Sequence, residues 1–400
     1  MISPQLKQFL TEHRDDNLQH LAFQSAKFPG IDMSFALQQL KGKRIAAQKI
    51  PTWEACDDIL YPKQVSMEQC SSETTARFKA SLAEGTVLVD LTGGFGVDFH
   101  FMAQRFQKAI YVEQQAELEL LARHNFQALG LNSVQTFCED SVGFLKKMDF
   151  KADTIFIDPA RRADSGRKTV LLEDCTPNLK EIDDLLDEKS RQTVIKLSPM
   201  LDISASIRAL KNISDVYVVA IQNEVKELLL KKSCSSSGTR IHAVNYPNNA
   251  EMESFSFLME EEAEAKVVFA NNVGQFLFEP NAALLKAGAY KLVSARFALS
   301  KLHVNSHLYT SDRLSDGFPG RVFEVVDCFS FSNSELKRLH QITSKANISI
   351  RNFPSSVDEL RKKLRLTDGG DFYLFATTFV DNQKRLVLTK KVTQTLNGLL

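Results

Sequence analysis

The chain has 400 residues, 44% of them hydrophobic, with 49 Lys and Arg against 49 Asp and Glu. That is enough apolar material for more than one core, so two or more domains are expected of a soluble enzyme. Six cysteines (56, 70, 138, 175, 234, 328) lie scattered without a C-x-x-C pair, which excludes a zinc ribbon or disulfide framework and fits a reducing compartment. The charged start MISPQLKQFLTEHRDD excludes a signal peptide, and no apolar run is long enough to span a bilayer, so a cytoplasmic location is expected.

Residues 1–80 read as a helical segment, with apolar residues at helix spacing in Leu6–Leu10, Leu18–Phe28 and Phe35–Ile45 and a break at Pro29-Gly30. Lys41, Lys43, Arg44 and Lys49 follow, then Pro51-Thr52-Trp53; they read as a solvated helix face or as a substrate contact. Glu68–Leu82 reads as one helix, with Ser71 or Ser72 able to cap it and Glu73 in the first turn.

Residues 87–98, VLVDLTGGFGVD, carry the most information. An apolar run ends on Asp90, passes through Thr92-Gly93-Gly94-Phe95-Gly96 and opens a helical pattern at Val97, with Asp98 in its first turn. Strand, glycine turn and helix start, in that order, make a nucleotide site in an α/β sheet. Gly94 and Gly96 are expected to let backbone approach a ligand where a Cβ would collide. The helix start offers free N–H groups to an anion.

Strand and helix then alternate. Ala109–Val112 is a strand ending on Glu113, 17 residues beyond Gly96, where an acid can hold a ribose diol. Gln115–Gly130 is a helix closing on Gly130. Ser133–Phe137 ends in Cys138-Glu139-Asp140, and Asp153–Ile157 ends in Asp158-Pro159-Ala160-Arg161. Asp183–Glu188 reads as helix, Gln192–Leu197 as the fifth strand, Ser204–Lys211 as helix, and Val216–Ile221 and Ile241–Tyr246 as the last strands. Lys231–Gly238 reads as a flexible loop, and Glu260–Glu264 as a hairpin tip or exposed turn. Polar residues at the carboxyl ends of parallel strands line the crevice where open α/β sheets bind ligands.

The pattern resembles the class I S-adenosylmethionine-dependent methyltransferases, whose first motif (an acid, three residues, Gly-x-Gly) is matched by Asp90…Gly94-Phe95-Gly96. The resemblance implies a Rossmann-like sheet and S-adenosylmethionine as cofactor. It implies cofactor contacts from Asp90, Thr92, Gly93, Gly94, Gly96 and Asp98, with Glu113 at the ribose, Asp140 beside the adenine and Asp158 at the edge. Thr92 stands where many members carry glycine. Gln69, Ser71 and Ser72 fall on a helix that in such families covers the methionine end. Asp158, Pro159, Ala160 and Arg161 match the catalytic motif, although Ala160 and Arg161 replace the proline and aromatic of Asp-Pro-Pro-aromatic enzymes; a guanidinium can stack on a base or contact phosphate.

Asp-Pro-Ala-Arg is also similar to the motif of RNA 5-methyluridine methyltransferases, which need a cysteine at the end of the next strand. Here that strand ends Ile195-Lys196-Leu197-Ser198-Pro199, and Cys175 sits in what reads as a loop. Lys196 reads as an ion-pair partner or a group acting on a hydroxyl, and His303 and His307 as surface or packing residues without a metal.

From about residue 276 the pattern changes. Ala282–Leu302 reads as a long helix opened by Glu279-Pro280-Asn281. Then follow a strand (Val322–Phe331), a helix (Ser334–Thr343), a strand (Ala346–Phe353), a helix (Ser356–Leu364) and two strands (Asp371–Val380, Lys384–Lys391). This βαβαββ order is close to a ferredoxin-like α/β sandwich. Asp368 through Ala376 resembles the strand entry of the THUMP-like domain of bacterial RNA methyltransferases of this type, and Glu279 through Tyr309 the small ferredoxin-like piece before it. The expected domains are 1–80, 81–275, 276–320 and 321–400.

Residues 276–400 hold 18 Lys and Arg against 11 Asp and Glu, while 1–275 hold 31 against 38. The surplus includes Arg361, Lys362, Lys363 and Arg365 on one helix end and Lys384, Arg385, Lys390 and Lys391 on the last hairpin, suited to phosphate or simply to solvent. The expectation is a monomeric methyltransferase acting on a base nitrogen of rRNA or tRNA, with a C-terminal domain that binds the RNA. A small-molecule or protein methyltransferase, or an RNA-binding protein with a vestigial core, are the alternatives.

Overall fold

The computed structural model describes residues 3–161, 172–233, 238–248 and 251–392. The chain divides into two compact units, residues 1–216 with 228–237, and residues 217–227 with 238–400.

The first unit opens with helices Pro4–Glu12, Leu18–Phe23 and Met33–Lys49, capped by the side chains of Ser3, Asn17 and Asp32. Phe9, Leu21, Ala36 and Leu40 form a small core between them. The stretch read as one helix ahead of the sheet is two, Gln64–Gln69 and Glu73–Leu82. Ser72 breaks it by accepting the Thr75 N–H from an extended backbone, so it caps the second helix.

Strands β1 (Val87–Asp90), β2 (Lys108–Glu113), β3 (Gln135–Cys138) and β4 (Ala152–Ile157) follow. The short β5 (Ala160–Arg161) and β6 (Cys175–Thr176) pair with each other. After them come β7 (Ser190–Leu197), β8 (Ile213–Ile221) and β9 (Glu224–Ser233). The first unit's sheet runs β9-β7-β4-β1-β2-β3. It is parallel from β7 to β3, with β9 antiparallel against β7 from Gln192–Ser233 to Leu197–Leu228. The central strands are buried on both faces, as continuous runs such as Ala-Ile-Tyr-Val and Thr-Ile-Phe-Ile require. Lys231–Ser233, read as loop, continues β9, because Leu228–Leu230 bury their side chains and the strand pairs along β7, which alternation would not reveal; residues 234–237 of that reading lie outside the described residues. Trp53, Phe99, Tyr111, Phe126 and Phe156 fill the core beside β1 and β2.

In the second unit β10 (Arg240–Tyr246) and β11 (Glu253–Leu258) form an antiparallel hairpin. The acidic run is a helix, Met259–Glu264, whose Glu261 accepts the Leu258 N–H at 2.7 Å. A second sheet comprises β12 (Phe276–Pro280), β13 (Ser300–Lys301), β14 (Tyr309–Ser311), β15 (Gly320–Ser330), β16 (Asn347–Arg351), β17 (Phe372–Thr378) and β18 (Lys384–Lys391), in the order β13-β14-β12-β15-β18-β17-β16. Ala282–Leu302 is not one helix: Gly288, at φ +82°, ends Ala282–Ala287, and Tyr290–Arg296 restarts before β13. Helices Asn333–Ile342 and Val357–Leu364 pack their apolar stripes on one sheet face around Leu339, Leu360, Leu364, Leu374 and Leu386. Leu277, Leu302, Leu308, Phe323, Phe375 and Val387 bury the other face.

Candidate active site

The glycine turn at the tip of β1 is a tight corner with three glycines in three different roles. A Cβ on Gly93 would lie 2.0 Å from the Tyr111 ring, and one on Gly96, at φ +87°, 2.7 Å from Phe126 Cζ. Those two collisions are with the protein's own rings. Gly94, at φ +58°, faces open space, its nearest contact being Thr92 O at 3.8 Å. The turn is tied down from below: Tyr111 donates its hydroxyl to Gly94 O at 2.6 Å, and Gly96 N–H donates to Gly93 O. Gly96 caps the helix Val97–Ala103.

Asp90 is 1% exposed and accepts the Thr92 N–H at 2.9 Å. Burial holds its carboxyl well above the usual carboxylate range, reinforced by Asp98, Asp158 and Glu113 nearby. It shapes the turn. The hydroxyl of Thr92 accepts the backbone N–H of Asp158 at 2.6 Å, which ties the tip of β4 to the tip of β1. That bond gives the departure from glycine at position 92 a physical reason.

Glu113, at the end of β2, is 6% exposed, and each carboxylate oxygen accepts one backbone N–H, from Gly94 and from Gln115, both at 2.8 Å. Lone pairs left over on oxygens held this rigidly suit a vicinal diol. Asp140, beyond β3, caps the helix Ser141–Lys147 through the Gly143 N–H at 2.7 Å.

The remaining charges meet behind the turn. Asp98 Oδ2 accepts from Ser71 Oγ at 2.7 Å, and Asp98 Oδ1 has the Lys79 ammonium at 3.2 Å but no hydrogen bond of its own. Lys79, fully buried, also donates to Ser71 Oγ at 3.1 Å. Lys196, on β7, pairs with Asp158 Oδ2 at 2.6 Å and stands 3.9 Å from Asp98 Oδ2. Buried charges persist when paired in this way. Lys196 is therefore the ion-pair partner its strand-tip position suggested. Lys79 was missed, although it shares the buried stripe of its helix with Thr75, Ala76 and Ala80, and a lysine on an apolar stripe was the available signal.

Pro159 is buried and Ala160 exposed. Arg161 closes β5, but its guanidinium falls outside the described atoms. Cys175 is not in a loop: it pairs with Arg161 across β5-β6 and is 3% exposed. Gln69 is exposed, whereas Ser71 belongs to the buried cluster. Trp53 donates its indole N–H to His100 Nδ1 at 2.9 Å and meets Phe95 of the turn edge-on. Burial pushes the His100 imidazole down to about 4, so it stays neutral. Lys43 pairs with Asp57, and Lys49 donates to Met67 O and Glu68 O, with burial lowering its ammonium.

In the second unit, Arg361 pairs with Asp358 and Asp368, Arg385 pairs with Asp381, and Lys363 and Lys390 lie over Phe331 and Phe372. Lys362, Arg365, Lys384 and Lys391 are exposed. His303 and His307 do not converge: His303 Nδ1 meets Asn352, and His307 stacks on Tyr290 at 3.7 Å. Among the described residues, no group of three or more His, Cys, Asp or Glu could hold a metal ion, and no helix is long and apolar enough to cross a membrane.

Comparison with known proteins adds to this geometry. A ferredoxin-like domain model matches residues 276–319, and a THUMP domain-like model matches residues 320–391. A crystal structure of a Porphyromonas gingivalis W83 protein assigned to the methyltransferases is 33% identical, covers 97% of this chain and 98% of its own, and superposes with a TM-score of 0.88. Two Mycobacterium tuberculosis proteins, from strains CDC 1551 / Oshkosh and ATCC 25618 / H37Rv, are named as S-adenosylmethionine-dependent methyltransferases. Each is 27% identical over 308 residues, 75% of this chain and 80% of theirs.

Proposed function

The chain belongs to the S-adenosylmethionine-dependent methyltransferases, and on that premise we propose that it methylates a base nitrogen of ribosomal or transfer RNA. Residues 81–275 are the catalytic domain in this reading, and the C-terminal part binds the RNA. The cofactor, when bound, supplies a methyl group already activated on a sulfonium. The site's donors fit it: Glu113 takes the ribose diol and Asp140 lies on the adenine side. Gly94 opens the turn, and Asp98, already paired with Lys79 and Ser71, supports it from behind.

The observation that carries the reading is Asp158. Its carboxylate stands at the tip of β4, locked to the turn through Thr92 and followed by the buried Pro159 and exposed Ala160. Carboxylate and strand-end carbonyls accept the N–H bonds of an amine and aim its lone pair, so the chain contributes orientation and electrostatic support. Arg161 follows as the group that positions the base. The buried thiol of Cys175 is poorly placed for nucleophilic attack, which argues against covalent C5 chemistry. In this reading the enzyme is cytoplasmic, which the scattered cysteines support, and acts as a monomer.

One contact favours a second reading. The Asp158 carboxylate, 2.6 Å from the Lys196 ammonium, could accept the proton of a ribose hydroxyl, a step that an amine does not need before attack. Mass spectrometry of rRNA and tRNA nucleosides, with and without the gene, separates the two. Loss of one N-methylated nucleoside supports the first, and loss of a 2′-O-methylated one supports the second. An unchanged nucleoside profile removes RNA as the substrate.

A further inference from the structure

A cluster of basic groups in the second unit, untouched by the chemistry above, has more positive than negative charge. Glu279 on β12 is 3% exposed and is held from two sides. Arg321, directly opposite it on β15, donates Nε and Nη2 to Glu279 Oε2, and Arg351 at the end of β16 donates Nη2 to Oε1 at 2.6 Å. Three strands separate β12 from β16 in the sheet order, so the sheet curls to bring the two arginines to one carboxylate. One buried glutamate needs a single cation; two leave a unit of positive charge.

Both arginine side chains are about one-third exposed, at 35% and 36%. Arg321 also rests on the rings of Phe323 and Tyr373, at 5.4 and 6.0 Å. Their forks are thus held in place with edges reaching solvent, and Arg321 Nη1 has no partner among the described residues. In the same sheet, Lys301 on β13 is 3% exposed and donates to Val304 O at 2.8 Å; among the described residues no carboxylate is in ion-pair contact with it, and Glu262 acts on it at longer range. Its ammonium faces the Tyr290 ring at 5.2 Å, and His307 stacks on that same ring. His307 holds a left-handed backbone, φ +51°, and its buried Nδ1 has no hydrogen-bond partner. Burial first, and then Lys301 and Arg351, disfavour a further proton on it.

We propose that Arg321, Arg351 and His307, backed by Lys301, form a phosphate-binding site that takes the phosphodiester backbone of the RNA. Rigid forks with spare N–H donors match phosphate geometry, and an anion here would supply the charge the cluster lacks. The assignment of the phosphate to RNA rests on the proposed RNA substrate, and the test separates the two.

The experiment measures RNA affinity against salt by fluorescence anisotropy on the full chain, alongside the imidazole NMR signals of His307 with inorganic phosphate as probe. Arg351→Gln leaves Glu279 paired with Arg321, so the fold is retained. It should weaken RNA binding about tenfold and flatten the slope of log K against log salt by about one. Arg351→Lys keeps the charge without the fork and should lose less. Phosphate should shift the His307 signals, identified by their absence in His307→Gln. Unchanged affinity and slope in Arg351→Gln, with RNA bound normally by the parent, overturn the RNA assignment of this site. A parent that binds no RNA overturns the RNA substrate, while a His307 response to phosphate would keep the anion site. No response to phosphate overturns the site itself.

Discussion

The two units handle charge in opposite ways. At the sheet tips of the first, each buried ammonium faces a carboxylate: Lys79 on Asp98 and Lys196 on Asp158, with Ser71 between. In the second, two arginines share Glu279, and Lys301 has no ion-pair partner among the described residues. A balanced, enclosed set can orient a neutral nucleophile without capturing anions, whereas a cation-rich, half-exposed set attracts them. On the proposed function, chemistry and grip would thereby be kept on separate pieces of the chain.

The sharpest way to break that division is at Asp158. Asp158→Ala removes the orienting carboxylate and should cut methyl transfer by about a hundredfold or more, while cofactor and RNA affinities measured by calorimetry stay close to those of the parent. Unchanged turnover would take Asp158 out of the mechanism; lost RNA binding would erase the distinction between the units.

The glycines come next. Gly93→Ala drives a methyl group into the Tyr111 ring, 2.0 Å away, and should cost about 2–3 kcal/mol of stability by thermal unfolding. Gly94→Ala meets nothing closer than 3.8 Å and pays only for its positive φ, about 1 kcal/mol, yet it should weaken cofactor binding more than Gly93→Ala does per unit of stability lost. Equal effects on both quantities would mean that position 94 does not face the ligand.

Much of this was legible in the sequence wherever a local rule and the tertiary demand agree. Strands β1, β2 and β4 announce themselves as apolar runs ending in acids, β7 as an apolar run ending at Lys196-Leu197, and the order of helices and strands from residue 320 follows from period. Other strands were harder. Residues 224–230 of β9 and the short β12, β13 and β14 carry no distinctive alternation, since neighbouring strands rather than their own pattern decide their pairing. Gly288 outweighed a helical stretch through one backbone angle. In the site, Glu113 and Asp158 could be placed by counting from the glycines, but the Lys79–Asp98 pair joins residues 19 positions apart in sequence, and only packing reveals it.

Acid stability compares a histidine from each unit. Burial lowers both His100 and His307 from 6.5 to about 4. The unfolded chain therefore takes up protons between those values that the folded chain refuses. The stability contribution is intact above about pH 6.5 and is lost as pH falls toward 4. For the buried His100 the loss near pH 5 should reach about 2 kcal/mol; for the half-exposed His307, solvent screening leaves a smaller share. Urea unfolding of His100→Gln against pH should show a flatter acid limb than the parent, with His307→Gln between them. An identical limb in all three would mean that neither imidazole is held neutral.

The smallest expected effect tests whether the basic helix end belongs with the arginine cluster or with ordinary solvated surface. Lys362 is exposed, and Lys363 is exposed with its ammonium 4.7 Å from the Phe331 ring. Neither is fixed by a buried carboxylate, so their attraction for phosphate is long-range and screened. Lys362→Glu with Lys363→Glu should weaken RNA binding severalfold at low salt, and most of that loss should vanish near physiological ionic strength, where charges beyond roughly 8 Å are screened. The loss from Arg351→Gln, by contrast, should keep most of its size, because a direct charge-assisted contact in a partly desolvated site is screened less. Should the reversed lysines cost more than Arg351→Gln at high salt, the helix end is the specific contact and the clasped arginines are there for Glu279 alone.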